Sequence, residues 1–186
     1  MPFTLPNFPL SAMLALAAAV SLVAAVAFIL TVQRGDAVRA LYDKIPRERV
    51  SGTILGAIAL LWCIPNISPI FMPDSPFQTF VLPLILVAIV LAAIFLNYLF
   101  ARAAAAILIL GAHAVLKAAY PAQLPGYPVL AALVLLAGVI GIVISAKPYW
   151  LRDWFRLSFR NPAVRWTSAA YFLLLCAMSC YCAVEA

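Results

Sequence analysis

The sequence predicts an all-α fold: a polytopic transmembrane helical bundle of six spans, with two short amphipathic interfacial helices on the cytoplasmic side. Three observations predict it. Of the 186 residues, 67% are hydrophobic and 10% are charged, with a mean hydropathy of +1.11, whereas a soluble domain is roughly half apolar and a quarter charged. The apolar residues gather into runs of spanning length, and the basic residues gather into two segments between those runs. Little chain is left for a soluble unit, so 1–186 reads as one integral membrane domain. A net charge of +6 would suggest nucleic acid in a soluble protein. Here the cations flank apolar runs, as orientation in a bilayer requires, and no nucleic-acid partner is expected.

A spanning helix needs about 20 apolar residues, each adding about 1.5 Å toward a hydrocarbon core about 30 Å thick. The N-terminal MPFTLPNFPLS, where the first run (10–32) begins, lacks the basic start of a secretory signal, so a retained helix is expected. The segment 51–72 begins as an apolar helix too short to cross, and Pro65 and Pro69 then each remove a backbone donor. It crosses as a kinked helix or re-enters, and Asn66 beside Pro65 is placed to satisfy freed backbone groups. The stretch from Phe77 to Tyr120 would be about 65 Å long as one helix and has to turn. Its polar cluster NYLFAR, from Asn97 to Arg102, is the place, since Asn adopts the left-handed cap conformation and Tyr98 and Arg102 suit an interface. Spans at 77–97 and 103–120 result, followed by 127–146 and 164–183.

The positive-inside rule tests these assignments together. Segment 33–50 holds Arg34, Arg39, Lys44, Arg47 and Arg49, and segment 147–165 holds Lys147, Arg152, Arg156, Arg160 and Arg165; together they carry ten of the 12 basic residues. To share the cytoplasmic face they need an even number of spans between them. Four are provided if 51–72 crosses and the chain turns near Arg102, which places both termini outside and leaves Lys117 the only cation near the outer face. The Ala-rich spans suggest a bacterial inner membrane.

The first basic segment places Val38, Leu41, Tyr42 and Ile45 at i, i+3, i+4 and i+7, one apolar stripe with charges around it. A short helix lying on the cytoplasmic surface is expected. In the second, Pro148 opens a helix, Asn161-Pro162 ends it, and Arg152, Arg156 and Arg160 recur every four residues as a cationic edge. Trp150, Leu151, Trp154 and Phe155 form its amphipathic face at the headgroup boundary, with Trp166 anchoring the next span. This edge and its aromatics are the candidate site for anionic lipid of the cytoplasmic leaflet or for an acidic patch on a partner. The bland alternative is a set of topology anchors.

Packing faces are expected from small residues, because helix association in lipid rests on close backbone approach. Gly52 and Gly56 form GxxxG, and Ala137, Gly141 and Ser145 repeat every four residues. They face helices of this chain, other membrane subunits or a homo-oligomer, whereas Ile85 is expected to face lipid. The lone histidine, His113, lies about 10 Å below Tyr120 by helical rise, and Lys117 follows on the same face. Ionisable groups at membrane depth mark function by default, so this pair is the candidate for a ligand or proton relay. Cys63, Cys176, Cys180 and Cys182 match neither zinc-site nor CxxC spacing and read as small hydrophobes, so no metal and no cofactor is expected.

The six acidic residues, Asp36, Asp43, Glu48, Asp74, Asp153 and Glu185, fall in loops or at a terminus, which disfavours an enzyme working at membrane depth. A three-plus-three inverted repeat would match the 73–76 loop with the basic 147–163 loop, and the two share no pattern. A non-enzymatic structural or accessory subunit is therefore expected. The alternative is a small multi-pass transporter or a pigment-binding protein using His113 and Lys117.

Overall fold

A computed structural model describes residues 9–32, 36–45, 48–67, 77–96, 98–122 and 124–185. Among these residues the fold is all-α, with α1 (Leu10–Leu30), α2 (Asp36–Lys44), α3 (Arg49–Ile67), α4 (Phe77–Phe95), α5 (Leu99–Ala122), α6 (Tyr127–Ala146), α7 (Tyr149–Arg160) and α8 (Pro162–Val184). Four of them, α1, α5, α6 and α8, are long and apolar enough to cross a membrane, while α3 and α4 contain the shorter apolar stretches Arg49–Cys63 and Pro83–Phe95. Only 28–33% of each of the four long segments is buried within the chain, and Val23, Ile142 and Leu174 are among the large apolar side chains left outside. Helices apolar on both their inner and outer faces are built for lipid rather than water.

Local chemistry sets the ends of these helices. The α4–α5 turn falls where the polar cluster predicts, but the left-handed residue is Tyr98, at φ 59°; Asn97 lies outside the described residues. Gly126 takes the left-handed conformation at φ 85° before α6, with Pro128 in the first turn. Asn161 closes α7 and caps α8, its Oδ1 accepting from the Ala163 N–H at 2.9 Å, and Pro162 stands at the first helical position, where no donor is missed. α3 continues through Pro65 to Ile67. The expected break at Pro69 and the role of the Asn66 side chain lie outside what is described.

The most extensive contact joins α1 to α8, next comes α5 with α6, then α3 with α5, and α4 packs on α3 at the edge. The buried face of α1 runs Leu14, Ala18, Ser21, Ala25, Phe28. That of α6 runs Leu130, Val134, Ala137, Gly141, Ile144, and that of α8 includes Ser168, Phe172, Leu175, Ser179 and Cys182. All three alternate steps of four and three residues, the spacing of knobs-into-holes seams. Tyr171 ties α8 to α6 by donating its hydroxyl to the Leu133 carbonyl at 2.7 Å.

The small-residue faces differ in what they pack against within the chain. Ala137 and Gly141 are buried against α5, but Ser145 is exposed. Successive steps of four drift by about 40° each on a helix of 3.6 residues per turn, so Ile144 takes the seam position instead. A Cβ at Gly141 would stand 3.0 Å from the Ala105 carbonyl oxygen, and one at Gly52 only 2.5 Å from the Phe100 nitrogen. At Gly56 it would meet the Ala103 Cβ at an ordinary 3.9 Å. Ile85 is buried rather than lipid-facing.

The structure thus separates glycines that a sequence motif treats alike. Gly52→Ala must displace the Phe100 backbone, Gly141→Ala crowds the Ala105 carbonyl oxygen and Ile109, and both are expected to destabilise, Gly52→Ala the more, by about 1–3 kcal/mol. Gly56→Ala and the exposed change Ile142→Leu are expected to stay within about 0.5 kcal/mol of wild type. Thermal unfolding in mild detergent, followed by size-exclusion fluorescence, checks the order. Equal losses at Gly52 and Gly56 would contradict it.

Candidate functional site

Both basic segments come together at one end of the bundle. α2 follows the C-terminal end of α1 and α7 follows that of α6, and the two amphipathic helices pack on each other. Tyr42 of α2 is buried there. Its hydroxyl donates to the Ala27 carbonyl at 2.6 Å, and its ring meets Phe155 and Phe159 of α7 edge-on, with centroids 5.0 Å and 5.4 Å away. Burial pushes the Tyr42 phenol above its ordinary pKa, since a charge there would lose its solvent.

Beside Tyr42, Arg156 grips Asp43 with a two-pronged hydrogen bond, Nε to Oδ1 at 2.8 Å and Nη2 to Oδ2 at 3.1 Å. That bond and the carboxylate charge raise the Arg156 pKa further above its usual range. An open groove of about 610 Å³ lies between the helices, bordered by Arg39, Asp43, Arg156, Phe159 and Arg160 among others. Asp43 is engaged by Arg156, and Asp153 lies 3.4 Å from Arg152. Among the described residues Arg39 and Arg160 have no carboxylate partner, though the Arg39 guanidinium lies 5.9 Å from the Phe159 ring centre.

The predicted residues of α7 therefore divide between two faces. Arg156 and Arg160 border the groove with Arg39, whereas Arg152 is paired with its neighbour Asp153. Trp150 is exposed, with the Lys147 ammonium 5.2 Å from its ring. Trp154 and Phe155, expected at the headgroup boundary, turn into the bundle instead. Phe28 offers them an aromatic surface at centroid distances of 4.9 Å and 5.3 Å, and the Trp154 indole N–H donates to the Ser168 hydroxyl at 3.1 Å. Periodicity identifies the apolar face of α7 but not whether lipid or protein covers it.

Tyr42, Asp43 and Arg39 are the groove residues that reading α7 alone misses. Their signal is the amphipathic stripe of the first basic segment, and only the fold brings it against the second. Arg165, at the start of α8, is buried with its Nε lacking a hydrogen-bond partner among the described residues. His113 and Lys117 are exposed on the outer surface of α5 rather than lining the interior. Cys182 is buried near the Pro125 carbonyl, and Cys180 is exposed. Among the described residues no three metal-ligating side chains cluster. No protein-family model, curated protein or solved structure matches the chain.

The docking of α2 on α7 rests on the aromatics more than on the ion pair, because exposed pairs in water contribute little. Phe28→Ala is expected to cost about 3–5 kcal/mol and to raise amide hydrogen exchange in both α2 and α7. Asp43→Asn should leave α7 protected. Hydrogen–deuterium exchange in detergent distinguishes them, and loss of α7 protection in Asp43→Asn would reverse the ranking.

Proposed function

We propose that the chain is a non-enzymatic integral membrane subunit, a structural or accessory component of a larger assembly. It crosses a bacterial inner membrane six times and binds anionic lipid phosphate in the α2–α7 groove on the cytoplasmic face. The observation that carries this is the Asp43–Arg156 bridge. It lies between the two amphipathic helices, which the aromatics beneath hold as one ledge, and Arg39 and Arg160 border the same groove without carboxylate partners among the described residues.

Six crossings are supported by the end-to-end order of the helices. Gly52, near the start of α3, lies against Leu99 and Phe100 at the start of α5, and Tyr98 packs in one cluster with Leu151 and Trp154 of α7. The start of α3 and the α4–α5 turn therefore share the end that carries α7. α3 and α4 have 19 residues each, about 28 Å by helical rise, close to the hydrocarbon thickness. That end then collects both basic segments, as a cytoplasmic face does. A cation near an anionic leaflet contributes about 1 kcal/mol, and a guanidinium adds a planar fork that matches phosphate.

Arg39→Lys with Arg160→Lys keeps the charge and removes both forks. Native mass spectrometry after mild extraction should show this variant inserted and folded but depleted of co-purifying phosphatidylglycerol or cardiolipin, while Arg152→Lys keeps wild-type lipid. Full retention in the Arg39/Arg160 variant would contradict lipid binding in the groove.

A further inference from the structure

α5 carries its ionisable residues on one outward line. At about 100° per residue, Arg102, His113, Lys117 and Tyr120 fall within about 60° of one another around the helix, and all four are exposed. The flanks of that line are occupied. Ala112, Val115 and Ala119 turn into the core cluster with α1, α6 and α8, and Ala103 faces Gly56 of α3.

Arg102 and Tyr120 stand near the two ends of α5, where a guanidinium and a phenol reach an interface. Lys117, five residues from Ala122, can extend toward the same end. His113 cannot. In a helix of 24 residues, it lies about 21 Å along the axis from Leu99 and about 13 Å from Ala122. Its side chain is short, and among the described residues it makes no hydrogen bond. An imidazole always carries an N–H donor, and hydrocarbon offers it no acceptor.

We propose that this line of α5 docks a transmembrane helix of a different subunit, one that presents a carboxylate at the depth of His113 and Lys117. A carboxylate is the complementary group, because it can accept from the imidazole N–H and the ammonium together. This chain does not supply one at that depth, for α1, α3, α4, α5, α6 and α8 contain no Asp or Glu. A second copy brings the same inventory and therefore no carboxylate, so self-association would leave the Lys117 ammonium without a counter-charge. Ala106 on the line and Leu110 beside it, both partly buried, give the incoming helix an apolar edge. The proposal rests on the chain being an accessory subunit and adds the chemistry of its partner.

The test places the photo-crosslinker p-benzoylphenylalanine at Ala106 or Leu110 in native membranes, with Leu174 on α8 as the control. The expected adduct joins positions 106 and 110, but not 174, to another polypeptide through an apolar span containing Asp or Glu. Replacing that acid by its amide, or His113→Leu with Lys117→Leu in this chain, should lower the adduct about tenfold at unchanged protein yield. Adducts with lipid alone, with a second copy, or with a span lacking an acid overturn the proposal, as does an adduct insensitive to these substitutions. Native electrophoresis separates the two levels: a stable hetero-complex without the α5 adduct overturns only the α5 face, whereas a chain migrating alone overturns the accessory role as well.

Discussion

The end of the bundle that carries the charges is organised by Phe28. Its ring lies against Trp154 and Phe155 of α7 and stacks on Phe172 of α8 at a centroid distance of 5.8 Å. Trp154 and Phe155 also pack into the cluster of Ala101, Ala105, Ile144 and Leu151. α7 thus bridges the α1–α8 pair and the α5–α6 pair with two adjacent side chains. Large aromatics bury much area and favour offset or edge-on contacts, so they also fix the rotation of α7 about its axis. That rotation turns Arg156 and Arg160 outward toward Asp43 and Arg39. The position of every charge in the groove follows from an apolar contact beneath it.

Farther along the bundle the constraint is close approach. Lipid tails are as apolar as Leu, so helices associate through packing rather than through release of water. Ala18, Ser21 and Ala25 in α1, Gly141 in α6, and Ala105, Ala112 and Ala119 in α5 remove bulk where the helices meet. Gly52 has the tightest site, because the turn after α4 brings the Phe100 backbone nitrogen against it. α3 packs along α5 from there, and α4, which packs chiefly on α3, takes its place through it.

Much of this is legible in the sequence, and the parts that are not share a cause. The α6 limits, the polar turn near Tyr98, the amphipathic character of α2 and α7, and the Asn161-Pro162 break follow from local composition and backbone chemistry. What fails depends on neighbours distant in sequence. Ser145 stands outside the chain's own α5–α6 seam, because a strict repeat of four drifts from a seam that alternates four and three. Ile85 reads as lipid-facing because every residue around it is apolar, and hydropathy then carries no orientation. Trp154 and Phe155 read as headgroup anchors because nothing local announces that Phe28, more than a hundred residues earlier, covers them. The Asp43–Arg156 bridge is invisible for the same reason. His113 and Lys117 stand out in the sequence, and the fold leaves both exposed on the outer face of α5, which helical spacing alone does not reveal.

If α2 and α7 form one ledge on a single membrane face, an even number of crossings separates them. Single cysteines introduced at Arg39, Leu157 and Glu185, in a background with the four native cysteines replaced, can be probed in intact cells with a membrane-impermeant maleimide before and after permeabilisation. Positions 39 and 157 should label only after permeabilisation, and position 185 before it. Labelling of position 185 on the same side as 39 and 157, or of 39 and 157 on opposite sides, would contradict this arrangement.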